Sequence, residues 1–184
     1  MPVVNDEYGY IGEHDDASEQ QPTKVPLTRE KHRNILWGIY VAGGYASAGD
    51  KFAYTGPPGM PYFSADWHDT PAYGDMKRVV DFFTIREVTY WTMASNSALV
   101  TQGERIHALA DSVRQYVFYA AQSGRFVANL APGNCCTYLF DPVTGEKVRL
   151  ATVQGGQPYA FSLPVGKDRV IYLQADVYQP AFIK

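Results

Sequence analysis

Glu7 is the residue on which chemistry could most directly turn. It closes the apolar run Pro2-Val3-Val4-Asn5, which reads as a short buried strand whose C-terminal end presents Asn5, Asp6 and Glu7. A carboxylate in that position costs free energy unless it is paired or put to use. Arg33 or nearby backbone N–H groups could satisfy it, and His14 could hydrogen-bond to it. Asp50 ends a second short run, Tyr45 to Asp50. It faces the same way as Glu7, which suits it to substrate contact, with a loop cap as the plainer role. Tyr45 and Trp67 offer flat aromatic faces of the kind that stack on sugar rings, although packing beneath a loop is an equally simple use for Trp67. Glu13, Asp15 and Asp16 fall in a stretch rich in Asp, Glu, Gln and Ser, and read as a solvated acidic loop.

These residues need elements to hold them. Pro26 followed by Thr28 and Lys31 marks a helix start, and the pattern predicts a helix from about Arg29 to Tyr40 with Ile35, Leu36 and Ile39 as its apolar stripe. Gly43-Gly44 ends it, and Tyr45 opens a second strand. Residues 51–74 form a long Pro- and Gly-rich loop containing Trp67, His68 and Asp69, and loops of that length are often functional. Asp75 is placed to cap another helix, Met76 to Thr89, with Val79, Val80, Phe82 and Phe83 turned inward. From Leu99 onward the period changes to that of short strands, about ten residues apart and separated by turns such as Pro132-Gly133-Asn134 and Asp141-Pro142-Val143-Thr144-Gly145. The order, βαβα and then β alone, implies two units with a boundary near Ser95 to Leu99. Two parallel βα pairs cannot cover both faces of a sheet and leave open edges. The first unit is therefore expected to be the end of a larger domain, to dock on the second unit, or to combine with another copy in a homo-oligomer.

Composition narrows the function classes. The 184 residues are 46% hydrophobic, enough for a packed core. The net charge of −3 and the lack of any basic stripe argue against nucleic acid. Cys135 and Cys136 are adjacent, so in a strand they point to opposite faces and a bond between them would be strained. With no CxxC pattern or second Cys/His cluster, neither zinc nor any other metal is expected. No stretch has the length and hydropathy of a membrane span. The start Met1-Pro2-Val3-Val4 lacks the basic region of a signal peptide. GxSxG, GxGxxG and Walker patterns are all missing, and no cofactor is expected.

Asn5-Asp6-Glu7-Tyr8-Gly9-Tyr10 resembles the strand-end Glu-aromatic-Gly motif of retaining (β/α)8 glycoside hydrolases. Arg33, Trp37, Gly43-Gly44-Tyr45 and Gly49-Asp50 resemble the next helix and last barrel strand of the apiosidase-like group. In that group a small β-sandwich, labelled as collagen-binding, follows the barrel, and Tyr138 to Glu146 is similar to its Asp-Pro-x-Thr-Gly turn. The resemblance runs from Val3 to about Asp176. It implies an α+β chain: the C-terminal βα units of a (β/α)8 barrel over residues 1–96, followed by an antiparallel β-sandwich over 97–184. It implies that Glu7 matches the nucleophile at the end of the seventh barrel strand, with Asn5, Tyr8, Tyr10, Tyr45, Asp50 and Trp67 as substrate-binding candidates. The expected activity is hydrolysis of O-glycosidic bonds in plant-type polysaccharide by a secreted or periplasmic enzyme. Such cleavage needs two carboxyl groups. In the family the acid comes from an earlier strand, so it is expected outside this sequence. The alternative is a non-catalytic carbohydrate-binding or accessory module.

Overall fold

Thr28 and the Gly43-Gly44 pair set the limits of the first helix, α1 (Arg29–Val41). Thr28 Oγ1 accepts a hydrogen bond from Lys31 N at 3.2 Å, a side-chain N-cap. At the other end Gly43 adopts a left-handed φ of +82°. Gly43 N donates to Tyr40 O (2.9 Å) and Gly44 N to Ile39 O (3.0 Å), the paired bonds of a Schellman motif. The computed structural model describes residues 3–6, 28–47, 71–84, 88–111, 114–122 and 124–176.

The second helix, α2 (Pro71–Thr84), starts and ends about five residues earlier than its sequence pattern predicts. Pro71 suits a first helical position, where its missing N–H has no intrahelical partner to lose. Asp75 does not cap the helix. It lies inside it, fully buried, as the centre of an ion cluster described below. Val79, Phe82 and Phe83 are buried as expected, but Val80 is 43% exposed because it falls on the opposite side of the helix.

The strands are β1 (Val4–Asp6), β2 (Tyr45–Ser47), β3 (Ala94–Ser95), β4 (Val100–Gln102), β5 (Ile106–Asp111), β6 (Gln115–Ala120), β7 (Arg125–Asn129), β8 (Gly133–Phe140), β9 (Lys147–Arg149), β10 (Val153–Gly155), β11 (Pro158–Ser162) and β12 (Arg169–Ala175). β1 and β2 form a parallel pair. The others are antiparallel. One sheet runs β10-β8-β12-β6-β5-β3, with β9 also on β8, and a three-stranded sheet runs β11-β7-β4. Among the described residues the chain is α+β, mostly antiparallel sheet with two α-helices.

The central strands of the larger sheet are apolar at almost every position, and the two faces explain why. Leu109, Val117, Tyr119, Val170 and Tyr172 share a cluster with Leu36, Trp37 and Tyr40 of α1 and with Val79, Phe82 and Phe83 of α2. The alternate residues Ala108, Ala110, Tyr116, Phe118, Ile171 and Leu173 share a second cluster with Phe126 and Ala128 of β7 and Phe161 of β11. A strand covered on both faces loses the apolar–polar alternation of a half-exposed one. Trp37 is the hub of the first cluster: it stacks on Tyr119 (centroids 5.6 Å, 15°) and meets Phe82 edge-on at 5.3 Å. The helix thus presents Leu36, Trp37 and Tyr40 to the sheet, whereas Ile35 and Ile39 are only partly buried. Ile39 lies on the other side, close to Gly44.

The buried Gln115 is well satisfied. Its carbonyl accepts from Thr89 N and Thr89 Oγ1 at 2.9 Å each, and its amide donates to Tyr172 Oη at 3.0 Å. Gly155 is required by close approach. A Cβ there would run into the carbonyl oxygen of Ala131. Gly155→Ala is expected to lower stability by about 1–3 kcal/mol, the usual cost of overpacking, read as a shift of the urea midpoint. An unchanged midpoint would mean that β10 moves aside freely.

Candidate functional site

β1 and β2 pair with Val4 opposite Tyr45, Asn5 opposite Ala46 and Asp6 opposite Ser47. Because the strands are parallel, Asp6 and Ser47 close them at the same end of the pair. In the sequence Glu7 follows Asp6 directly, and Asp50 comes three residues after Ser47. Glu7, Tyr8, Tyr10, Asp50 and Trp67 themselves lie outside the described residues, and Asn5 is placed by its register alone.

Tyr45 stands at the other end of β2, opposite Val4. Its ring packs edge-on against Tyr90 (5.4 Å) and Tyr40 (6.2 Å). Tyr90 Oη donates to Gly44 O (2.5 Å), with Tyr40 O also within reach at 3.0 Å, tying the segment after α2 to the C-terminus of α1. Burial pushes the Tyr90 phenol well above its ordinary range, so it stays a donor. These contacts give Tyr45 a packing role at the start of β2, opposite Val4.

The helices beside β1 and β2 are fixed against the larger sheet by a buried ion cluster that has no local signature in the sequence. Arg33 on α1 makes a bidentate pair with Asp168, just before β12: Nε to Oδ2 at 2.6 Å and Nη2 to Oδ1 at 2.9 Å. Tyr119 Oη lies within hydrogen-bond distance of both Asp168 Oδ2 (3.3 Å) and Asn34 Oδ1, which share its one proton. Asp75 of α2 accepts from Arg29 Nε (3.0 Å), Arg29 Nη2 (2.9 Å) and Arg78 Nη1 (3.1 Å), and lies 3.7 Å from Arg33 Nη1. Burial works against the charge on Arg33, but the Asp168 carboxylate overcomes it and holds the guanidinium above its usual range. Arg33, which the sequence offers as a partner for Glu7, thus has its guanidinium engaged by Asp168 and Asp75.

The Asp-Pro-Val-Thr-Gly stretch is a built turn. Asp141 Oδ1 accepts from Val143 N (2.8 Å) and Thr144 N (3.2 Å), and Gly145 takes a φ of +79°. Arg169 Nη1 reaches Asp141 Oδ2 at 3.1 Å, so the turn is fastened to the start of β12. Cys135 is buried and Cys136 half-buried, and both are free thiols.

Two solved structures superpose on nearly all of this arrangement. One is described as a glycoside hydrolase: TM-score 0.72, 15% identity, covering 97% of this chain and 43% of that one. The other is a glycoside hydrolase of family 5 from Bacteroides vulgatus: TM-score 0.71, 16% identity, covering 98% of this chain and 43% of that one. The chain shares its fold with glycoside hydrolases. It spans 43% of the length of each of these two proteins. No protein-family model matches it, and no curated protein matches it in sequence. Among the described residues, no helix is long and apolar enough to cross a membrane.

Proposed function

We propose that this chain is the C-terminal part of a retaining glycoside hydrolase that cleaves O-glycosidic bonds in plant-type polysaccharide. Residues 1–96 supply the last βα units of a (β/α)8 barrel of the apiosidase-like kind, and residues 97–184 supply the appended β-sandwich. The observation that supports this reading is the parallel β1–β2 pair, whose strands end together at Asp6 and Ser47, just before Glu7 and Asp50 in the sequence, in a chain that shares its fold with longer glycoside hydrolases.

In the proposed reaction the Glu7 carboxylate attacks the anomeric carbon as the bond to the leaving oxygen breaks. A second carboxyl group protonates that oxygen, and water then hydrolyses the glycosyl ester. In a barrel both groups sit at the C-terminal ends of strands. The second carboxyl comes from the part of the barrel that precedes β1. Asn5, Tyr8, Tyr10, Asp50 and Trp67 line the sugar-binding side, with Trp67 as the stacking face and Asn5 as a hydrogen-bond donor.

The test is covalent trapping. A 2-deoxy-2-fluoro glycoside with an activated leaving group needs no acid to depart, so it reports on the nucleophile alone. Incubated with the natural gene product containing this chain, such a reagent is expected to add one fluoroglycosyl group on the peptide holding Glu7. Labelling of a different carboxylate would overturn the assignment.

A further inference from the structure

At one end of the two antiparallel sheets lies a cavity of about 190 Å³, lined by Glu104, Arg105, Ile106, Gln122, Gly124 and Arg125. It is formed by the turn between β4 and β5 and the turn between β6 and β7. Gly103 lets the first turn close tightly: its φ is +120°, and a Cβ there would meet Phe126 Cβ at 2.7 Å. Ala121 N donates to Arg105 O (3.2 Å) and Leu163 N to Gly124 O (2.7 Å), so the backbone on both sides is fixed.

The backbone of Arg105 serves the fold through its bond with Ala121, but its side chain and that of Arg125 do not. Arg105 has a φ of +55°, the one left-handed non-glycine among the described residues, a conformation that disfavours a bulky side chain. Its guanidinium and that of Arg125 have no ion pair or side-chain hydrogen bond among the described residues, and both are exposed. A strained residue whose side chain does nothing for the fold is a reason to look for a ligand.

We propose that this cavity binds a uronic acid residue of an acidic glycan. Guanidinium groups match a carboxylate in geometry and charge. Glu104 and Gln122 add an acceptor and an amide suited to sugar hydroxyls, and the partly buried Ile106 offers an apolar contact for ring C–H groups. Glu104 repels any anion, and a sugar acid offsets that cost with hydroxyls that donate to Glu104, which a simple anion lacks. The proposal goes beyond the hydrolase reading and stands without it.

Isothermal titration of the chain with galacturonate and glucuronate trimers, with neutral galactose and glucose trimers, and with inorganic phosphate tests it. Binding of an acidic trimer is expected, with the neutral trimers silent and phosphate unable to displace the sugar at equal concentration. Arg125→Gln and Arg105→Gly should each weaken binding at least tenfold. Arg105→Gly should hold or raise the melting temperature, because glycine relieves the left-handed strain, so a loss of binding cannot be blamed on unfolding. Equal binding of neutral trimers, full displacement by phosphate (an adventitious anion only), or no binding of either acidic trimer would overturn the proposal.

Discussion

Asp168→Ala is expected to lower the stability of this chain by about 3–5 kcal/mol, the cost of leaving a buried charge without its partner. The side chains of Arg33 and Asp168 are 7% and 3% exposed, and the pair is bidentate. Without Asp168, among the described residues Arg33 keeps only the longer contact to Asp75 at 3.7 Å, and Tyr119 Oη only Asn34. Joint replacement, Arg33→Met with Asp168→Leu, should recover most of the loss, because it removes both charges and fills the space with apolar atoms. Urea denaturation of the two variants gives the comparison. A loss below about 1 kcal/mol for Asp168→Ala, the size of an exposed pair, would show that water reaches the cluster.

Glu7→Gln is expected to lower kcat on an aryl glycoside by roughly 10⁴- to 10⁶-fold, the scale on which removing one acting member of a catalytic set falls. The amide keeps the size of the side chain and cannot act as a nucleophile. Glu7→Gly with added azide separates the two carboxyl roles. A missing nucleophile lets azide attack from its vacated side and gives a glycosyl azide of inverted configuration. A product of retained configuration would reassign Glu7 as the acid, and undiminished turnover would remove it from the reaction.

Local signals in the sequence locate most of the elements. Thr28 and Gly43-Gly44 bound the first helix because caps act within a few residues, and the turns around Gly133 and Gly145 punctuate the strands for the same reason. The limits of α2 and the outward turn of Val80 are misread locally, but other misjudged positions depend on contacts distant in sequence. Asp75 reads as a cap, yet its partner Arg29 is 46 residues away. Arg33 and Asp168 are separated by 135 residues and leave no periodic trace. Trp37 stands out only as a motif residue, although it organises the core. One signal that could have shown this is the run of apolar residues in Tyr116 to Ala120 and Val170 to Leu173, which implies strands covered on both sides. The site itself is less legible: Tyr45 lies on the strand that leads to Asp50 but sits at its far end, a distinction that needs the register.

The helices present Trp37 and Phe82 to a sheet whose strands all lie later in the chain, and Arg33 grips the carboxylate at position 168. A crossover that joined this first half to an unrelated C-terminal segment would strip Trp37 of Tyr119 and Arg33 of Asp168 at a single stroke. The two halves are therefore expected to be inherited together, and any graft of the first onto another protein would have to carry Tyr119, Phe140 and Asp168 with it.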